Sequence, residues 1–414
     1  MDLAKKRWYV LIASVVINLC IGSGYAWSVF AGPLIKILGC TAAAAAVAFS
    51  LTNMLGPVTM ITGGWVQDKF GPKWVIFAGA FMFGGGMYLA GSTDSLSWLY
   101  MTYGIMGGLG MGMVYGCTIA NTVKFFPDRR GLVAGLATAG YGFGPVIAAP
   151  LAQSLIASYG VLATLKIMGI GYLIIIAALS MLITAAPVGY KPEGWNPPAP
   201  TASSTVTGAE KNWSQMLSDP MFYLLFSMLV IGAFSGLMII SQASPIAQEI
   251  VKVTAAQAAM AVSYLALSNT FGRIFWGSIS DKFGRFPALI AMYILAAVAA
   301  YGLTTISAGA FTPFVVIVMV IGLCFGGFMG IFPALTADTF GAKNNGVNYG
   351  IMFCAFAVAG WFGPRTAATV KAANNGDYTQ AFVIAGILSV IGIALTLIVV
   401  AKNKKAQAAK NIAG

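Results

Sequence analysis

The chain has 414 residues, 59% of them hydrophobic and only 8% charged, with a formal net charge of +12. Soluble domains carry about 25% charged residues, so a water-soluble globule is excluded and a polytopic membrane protein remains. There is no histidine, which removes the usual proton relay near neutral pH and the commonest metal ligand, and the five cysteines, without paired spacing, read as small apolar filler.

A helix needs about 20 apolar residues to cross a hydrocarbon core roughly 30 Å thick. Twelve such runs are predicted: 8–30, 43–66, 72–92, 96–123, 132–158, 161–186, 220–248, 254–280, 285–305, 311–337, 346–370 and 379–401. The first follows Lys5, Lys6 and Arg7 and is too long for the apolar core of a signal peptide, so it reads as a spanning helix. The second ends in Gly64-Trp-Val-Gln-Asp68-Lys69-Phe70-Gly71, a phrase that returns 213 residues later as Gly277-Ser-Ile-Ser-Asp281-Lys282-Phe283-Gly284 at the end of the eighth. A phrase repeated at about half the chain length predicts two structural repeats, each of several membrane helices.

The fourth and fifth spans carry glycine at small-xxx-small spacing: Gly104, Gly108, Gly112 and Gly116, then Gly131, Gly135, Gly140 and Gly144. This pattern lets helix backbones approach closely. Between the sixth and seventh spans, 187–217 holds Pro187, Pro192, Pro197, Pro198, Pro200 and the run Thr201-Ala-Ser-Ser-Thr205, a loose linker. The expected organisation is therefore an all-α integral membrane protein with a six-helix bundle at 1–186, a cytoplasmic linker at 187–217 and a second bundle with a basic tail at 218–414.

With a cytoplasmic N-terminus and alternating spans, all but six of the 23 Lys and Arg fall inside. Lys36, Lys252 and Lys371 fall outside, and Lys166, Arg273 and Arg365 lie within spans. This is the positive-inside bias. It predicts cytoplasmic termini and a plasma (inner) membrane location, and it accounts for the basic charge without a nucleic-acid partner.

Asp68 and Asp281 end their own helices, where the macrodipole disfavours an anion. Each is expected to face the N-terminus of a neighbouring helix or a cation such as Arg129 or Arg130. With Lys69 and Lys282 these residues would form a latch that biases a two-state motion; a plain tight turn with solvated charges is the alternative.

The doubled Asp-Lys-Phe-Gly phrase, twelve spans and central linker resemble the major facilitator superfamily. The resemblance implies two six-helix bundles around a central cavity, working by alternating access. Gly22-Ser-Gly-Tyr25-Ala-Trp27, the stretch Asn121-Thr-Val-Lys124-Phe-Phe-Pro-Asp128-Arg129-Arg130-Gly131-Leu-Val-Ala-Gly135 and Gly189-Tyr-Lys-Pro-Glu-Gly-Trp195 resemble its monocarboxylate transporter and oxalate/formate antiporter group. The chain is especially similar to bacterial monocarboxylate transporter homologues.

Using the doubled phrase as a ruler exposes one asymmetry. Arg273 lies eight residues before Asp281, about 12 Å deeper at 1.5 Å per residue, and its counterpart 213 residues earlier is Met60. A guanidinium cannot deprotonate, and at the centre of a membrane helix it costs at least about 2.5–3.5 kcal/mol. It is expected to face a wet cavity and share its charge with a small organic anion, whose carboxylate its planar fork fits. An ion pair with Asp338 or Glu249 is the alternative. Asn269, one turn earlier on the same face, is a candidate second donor, with Trp276 three residues on. Lys166 and Arg365 are near enough to a span end to snorkel.

The resemblance also implies aromatic cavity walls at Tyr25, Tyr115, Tyr141, Phe325 and Phe353. Dicarboxylate carriers of the group place a second cation in the phrase beginning Asn-Tyr-Gly, whereas here Asn348-Tyr-Gly-Ile-Met-Phe-Cys-Ala is followed by neutral Phe356. Animal proton-coupled relatives place an Asp where this chain has Asn269, so no residue is assigned to carry a proton. The resulting expectation is a proton-coupled monomeric carrier of small monocarboxylates such as L-lactate, with no cofactor and no enzymatic activity. An exchanger of the oxalate/formate type is the alternative, and a non-transporting receptor on the same scaffold a more distant one.

Overall fold

The computed structural model describes residues 3–40, 42–192 and 210–413. The middle of the expected linker, 193–209, lies outside them, as does the end of the Gly189–Trp195 phrase. Lipid offers no hydrogen bonds to a bare backbone, so apolar runs of this length fold as helices. Helix α1 runs Leu3–Gly22, continues through a 3-10 turn Ser23–Ala26 and ends as Trp27–Leu38. α2 is Ala42–Phe70 and α3 is Pro72–Ala90, while α4 comprises Leu96–Leu99, a π-turn Tyr100–Met106 and Gly107–Phe125. A run Arg130–Ser180 breaks at Gly160 (φ 78°), giving α5 (130–159) and α6 (161–180). After a short helix Trp213–Leu217 come α7 (Pro220–Glu249), α8 (Ala255–Phe283), α9 (Arg285–Thr304), α10 (Phe311–Phe340), α11 (Asn345–Ala373) and α12 (Thr379–Ala413).

These are the twelve predicted crossings, six from each half of the chain. Among the described residues, eight helical runs are long and apolar enough to cross a membrane, the α5–α6 run counting as one. α2, α4 and α8 are not among them. α2 and α8 carry the aspartates of the doubled phrase and a row of hydroxyl and amide side chains, and α4 is interrupted by its π-turn.

Local chemistry sets the helix ends. Asp219 accepts from Met221 N–H at 2.9 Å to cap α7, with Pro220 in the first turn, and Thr254 and Gln257 form a capping box on α8. The final glycine of each copy of the doubled phrase has a positive φ, 88° at Gly71 and 97° at Gly284. Only glycine adopts that conformation without strain, so the phrase closes with a sharp turn into the next helix.

The glycine ladders bind these helices into a repeated pattern. On α4, a Cβ added to Gly108, Gly112 or Gly116 would stand 2.7 Å from Thr52 Cα, 2.0 Å from Gly56 O and 3.1 Å from Met60 Cγ of α2. On α10, a Cβ added to Gly322, Gly326 or Gly330 would stand 2.6 Å from Leu265 O, 2.0 Å from Asn269 O and 2.5 Å from Arg273 O of α8. The α2 residues map onto the α8 residues by the same 213-residue shift as the doubled phrase. The repeat is thus built into the packing, and the place held by Met60 in one copy is held by Arg273 in the other.

The chain forms two compact units. One comprises Met1–Asp128, Ala137–Trp195 and Ala342–Ile351, and the other Arg129–Leu136, Asn196–Gly341 and Met352–Gly414. Each unit thus contains most of one half of the chain and a short helix start from the other. Reciprocal glycine contacts explain the exchange: Gly64 packs on Gly346 and Gly350 on Met60 in the first unit, Gly277 on Gly131 and Gly135 on Arg273 in the second.

Candidate functional site

The first turn of a helix leaves its N–H groups without intrahelical partners. In the second unit Asp281 fills that need for α5, accepting from Gly131 N–H at 2.9 Å and Leu132 N–H at 2.8 Å. Its Oδ1 also accepts from Arg285 Nη1 at 2.6 Å. Arg285 Nε donates to Asp338 at 3.0 Å, and Asp338 takes Arg130 Nη1 at 2.6 Å. Two carboxylates and two guanidinium groups thus form one chain of charge at the α5 terminus, partly shielded from water.

In the first unit Asp68 stands in the corresponding place. It accepts from Val347 N–H at the start of α11 at 3.3 Å and from Lys124 Nζ at 2.7 Å. Lys124 also donates to Lys343 O at 2.9 Å. Among the described residues one cation, Lys124, pairs with this carboxylate. The buried Asn345, which occupies the helix-start position that Arg130 has on α5, finds no hydrogen-bond partner for either amide atom among the described residues.

Of the expected latch residues, Asp68, Asp281 and Arg130 join these networks, with Arg130 bound to Asp338 instead of to either phrase aspartate. Lys69 and Lys282 turn out over aromatic rings, 4.1 Å from the Trp65 centroid and 5.4 Å from that of Phe283. Arg129 is exposed. The sequence reading did not place Lys124, Arg285 and Asp338 in the latch. Lys124 lies in a phrase already singled out, and Arg285 directly follows the second copy of the doubled phrase. Asp338 gives no such signal, being one acid in the apolar end of α10.

Arg273 lies midway along α8 and is 3% exposed. Its backbone is held between Gly135 of α5 and Gly330 of α10, so neither neighbour has a side chain to fill the space beside it. Of the two acids considered as its ion-pair partners, Asp338 bonds Arg130 and Arg285, and Glu249 bonds Lys371 at 2.7 Å. One turn before Arg273, Asn269 is buried, and its Oδ1 has no hydrogen-bond partner among the described residues; the same holds for Trp276 Nε1 one turn after. A buried guanidinium flanked by polar atoms in need of partners is suited to a small anion carrying further donors and acceptors.

The aromatic candidates fall into two groups. In the first unit Tyr141 sits edge-on between Tyr25 and Tyr115, with ring centroids 5.0 and 5.1 Å away. Tyr141 Oη donates to Met111 Sδ at 3.1 Å. In the second unit Phe353 and Phe356 of α11 stack at 4.9 Å and 9°, and Phe325 of α10 lies 6.4 Å from Phe356. The structure therefore brings the three tyrosines together in one unit. In the other it places Arg273, Asn269, Phe325 and Phe353, with neutral Phe356 completing an apolar wall. Arg365 is exposed and lies 3.3 Å above the Trp361 ring, while Lys166 packs along Gly91.

Comparison with known proteins agrees with this architecture. The family model described as Major Facilitator Superfamily matches residues 12–364. The oxalate:formate antiporter of Oxalobacter formigenes is 32% identical over 407 residues, covering 96% of this chain and 92% of that protein. Monocarboxylate transporter 12 of Xenopus laevis is 26% identical over 371 residues, covering 84% and 80%. A crystal structure of the transporter FucP in the outward conformation shares the fold, with a TM-score of 0.69 at 16% identity, covering 94% and 98% of the two chains.

Proposed function

Since the chain belongs to the Major Facilitator Superfamily and is a membrane transporter, not an enzyme, what remains open is its cargo and its coupling, and we propose that it carries small monocarboxylates such as L-lactate together with a proton. The observation that carries this reading is Arg273, a permanent cation buried midway along α8 where the repeat has Met60. One guanidinium balances one carboxylate. Phe356, stacked on Phe353, leaves an apolar wall where dicarboxylate carriers of the resembling group hold a second cation. Asn269 would bond the substrate hydroxyl or the far carboxylate oxygen, and Tyr115 would donate a further hydrogen bond. Tyr25, Tyr141, Phe325 and Phe353 would exclude water.

Coupling follows from charge. Entry of an anion compensates Arg273, and a proton carried with it keeps the cycle neutral. The chain has no histidine, and Asp281, Asp338 and Glu249 are all engaged by cations. No residue is assigned to carry the proton, and we take it to travel with the substrate. The latches at Asp68 and Asp281 would hold one end closed in one state and release it in the other. We place both termini in the cytoplasm and treat the single chain as the working unit.

Exchange of one carboxylate for another is a second reading, favoured by the 32% identity to an oxalate:formate antiporter. Uptake of radiolabelled lactate into proteoliposomes separates the two. Symport predicts uptake driven by an inward proton gradient. Uptake indifferent to the gradient but accelerated by internal carboxylate would establish exchange.

A further inference from the structure

The doubled phrase exposes a second asymmetry, at the turn that joins α2 to α3. Lys69 and Phe70 recur 213 residues on as Lys282 and Phe283, but the residues around them do not recur. Trp65 has Ser278 as its counterpart, Lys73 has Phe286 and Trp74 has Pro287. Two exposed tryptophans and a lysine thus mark one turn, where the other has a serine, a buried phenylalanine and a proline. The turn itself forms without them, since Gly284 adopts a φ of 97° against 88° at Gly71. The second copy does have a further cation in Arg285, but that group is buried and bonded to Asp281 and Asp338.

At the first turn each lysine lies against a tryptophan. Lys69 Nζ is 4.1 Å from the Trp65 ring centroid and Lys73 Nζ 5.1 Å from that of Trp74. Neither meets a carboxylate among the described residues, and Asp68, the acid beside Lys69, is held by Lys124. From Trp74 an aromatic column continues along α3: Phe77 stands edge-on at 5.8 Å, and Phe81 lies 5.1 Å beyond it. Residues 74, 77 and 81 share one helix face, and their counterparts Pro287, Ile290 and Ile294 carry no aromatic ring. A pair of cations at a helix end, with a ring surface leading from it into the apolar span, has the outline of an anionic phospholipid. Tryptophans settle at headgroup level, and basic sites on membrane helices take acidic headgroups.

We propose that the α2–α3 turn is a binding site for one anionic phospholipid. Its phosphate pairs with Lys69 and Lys73 between Trp65 and Trp74, and one acyl chain follows Phe77 and Phe81. In the orientation proposed above, this is a lipid of the cytoplasmic leaflet. A soluble anion would use the lysines and leave the aromatic column bare, so a lipid accounts for the whole surface. The site is independent of the cargo and of Arg273.

Native mass spectrometry of the whole protein in detergent, with phosphatidylglycerol and phosphatidylcholine offered together, tests this. The wild type should retain one phosphatidylglycerol in preference to phosphatidylcholine. A lysine beside an anionic lipid contributes about fivefold, so Lys69→Gln with Lys73→Gln should weaken retention about 20-fold, and Trp65→Leu with Trp74→Leu severalfold. Lys69→Arg with Lys73→Arg keeps the charge and should keep the lipid, which guards against loss through misfolding. Lys282→Gln, at the matching place in the other copy, should change retention less than twofold, and glycerol 3-phosphate should not displace the lipid. Equal retention of the two lipids by the wild type, or an equal loss in Lys282→Gln, would overturn the proposal. Displacement by glycerol 3-phosphate would also overturn it, by showing a site for soluble anions.

Discussion

Removing the Asp281 carboxylate should release the first turn of α5 and leave the matching turn of α11 closed. Gly131 and Leu132 lie within the first turn of α5, where no intrahelical acceptor exists, so their protection comes from Asp281. Bonds to a charged acceptor contribute about 1.5–3 kcal/mol each, and an anion at a helix N-terminus adds up to about 2 kcal/mol. Asp281 has a side-chain exposure of 19%, so solvent screening reduces these values. We therefore expect about 2–3 kcal/mol for the site as a whole, or roughly 30–150-fold in the opening equilibrium at a factor of ten per 1.4 kcal/mol. Hydrogen exchange with mass spectrometry on Asp281→Ala reads this directly. Peptides covering 130–135 should exchange faster by that factor, while those covering 345–350, held by Asp68, should change less than about threefold. Equal acceleration at both places, or none at either, would refute the view that each copy of the doubled phrase caps its own helix.

Further outcomes follow from the packing and the site. Gly135→Leu should prevent correct assembly of α5 on α8, because even its Cβ would stand 2.3 Å from Arg273 O; Gly171→Ala, with nothing within 4 Å, should fold normally and gain about 0.5–1 kcal/mol. Size-exclusion chromatography of the two variants checks this. Phe356→Lys should lower lactate affinity by about 0.5–1.5 kcal/mol through loss of the Phe353 stack, and should create measurable binding of a dicarboxylate such as oxalate. Competition binding with the two anions reads both effects. Asp338→Ala leaves Arg285 with Asp281 and the Ser280 hydroxyl and removes the carboxylate that Arg130 bonds; about 3–5 kcal/mol is expected for opening a shielded ion network, seen as lowered thermal stability in detergent.

The twelve crossings were legible because lipid sets a length and an apolar content that few other sequences meet. The two irregular turns were not, since Ser23–Ala26 and Tyr100–Met106 contain no proline and lie inside longer, mostly apolar runs. Arg273 was legible through the doubled phrase, whose 213-residue ruler the glycine contacts of α4 on α2 and of α10 on α8 reproduce. The charge contacts around the doubled phrase were legible only in part. The phrase shows its aspartates and lysines, but which cation meets which anion depends on helices far apart in the chain. Lys69 and Lys282 are adjacent to the aspartates in sequence and therefore about 100° away around the helix, whereas Arg285, four residues after Asp281 at the start of the next helix, folds back to meet it. The exchange of helix starts between the units was hidden for the same reason: it rests on backbone contact between glycines, which carry no chemical label.

The central claim is that Arg273 holds a single carboxylate. Equilibrium binding of L-lactate to the purified wild type, Arg273→Lys and Arg273→Ala tests it most directly. Truncating one partner of a buried, hydrogen-bonded charge pair costs about 2–5 kcal/mol, so Arg273→Ala should bind at least about 30-fold more weakly. Arg273→Lys should also be impaired, because a point charge cannot replace the planar fork. Near-normal lactate affinity in a folded Arg273→Ala protein would contradict the account.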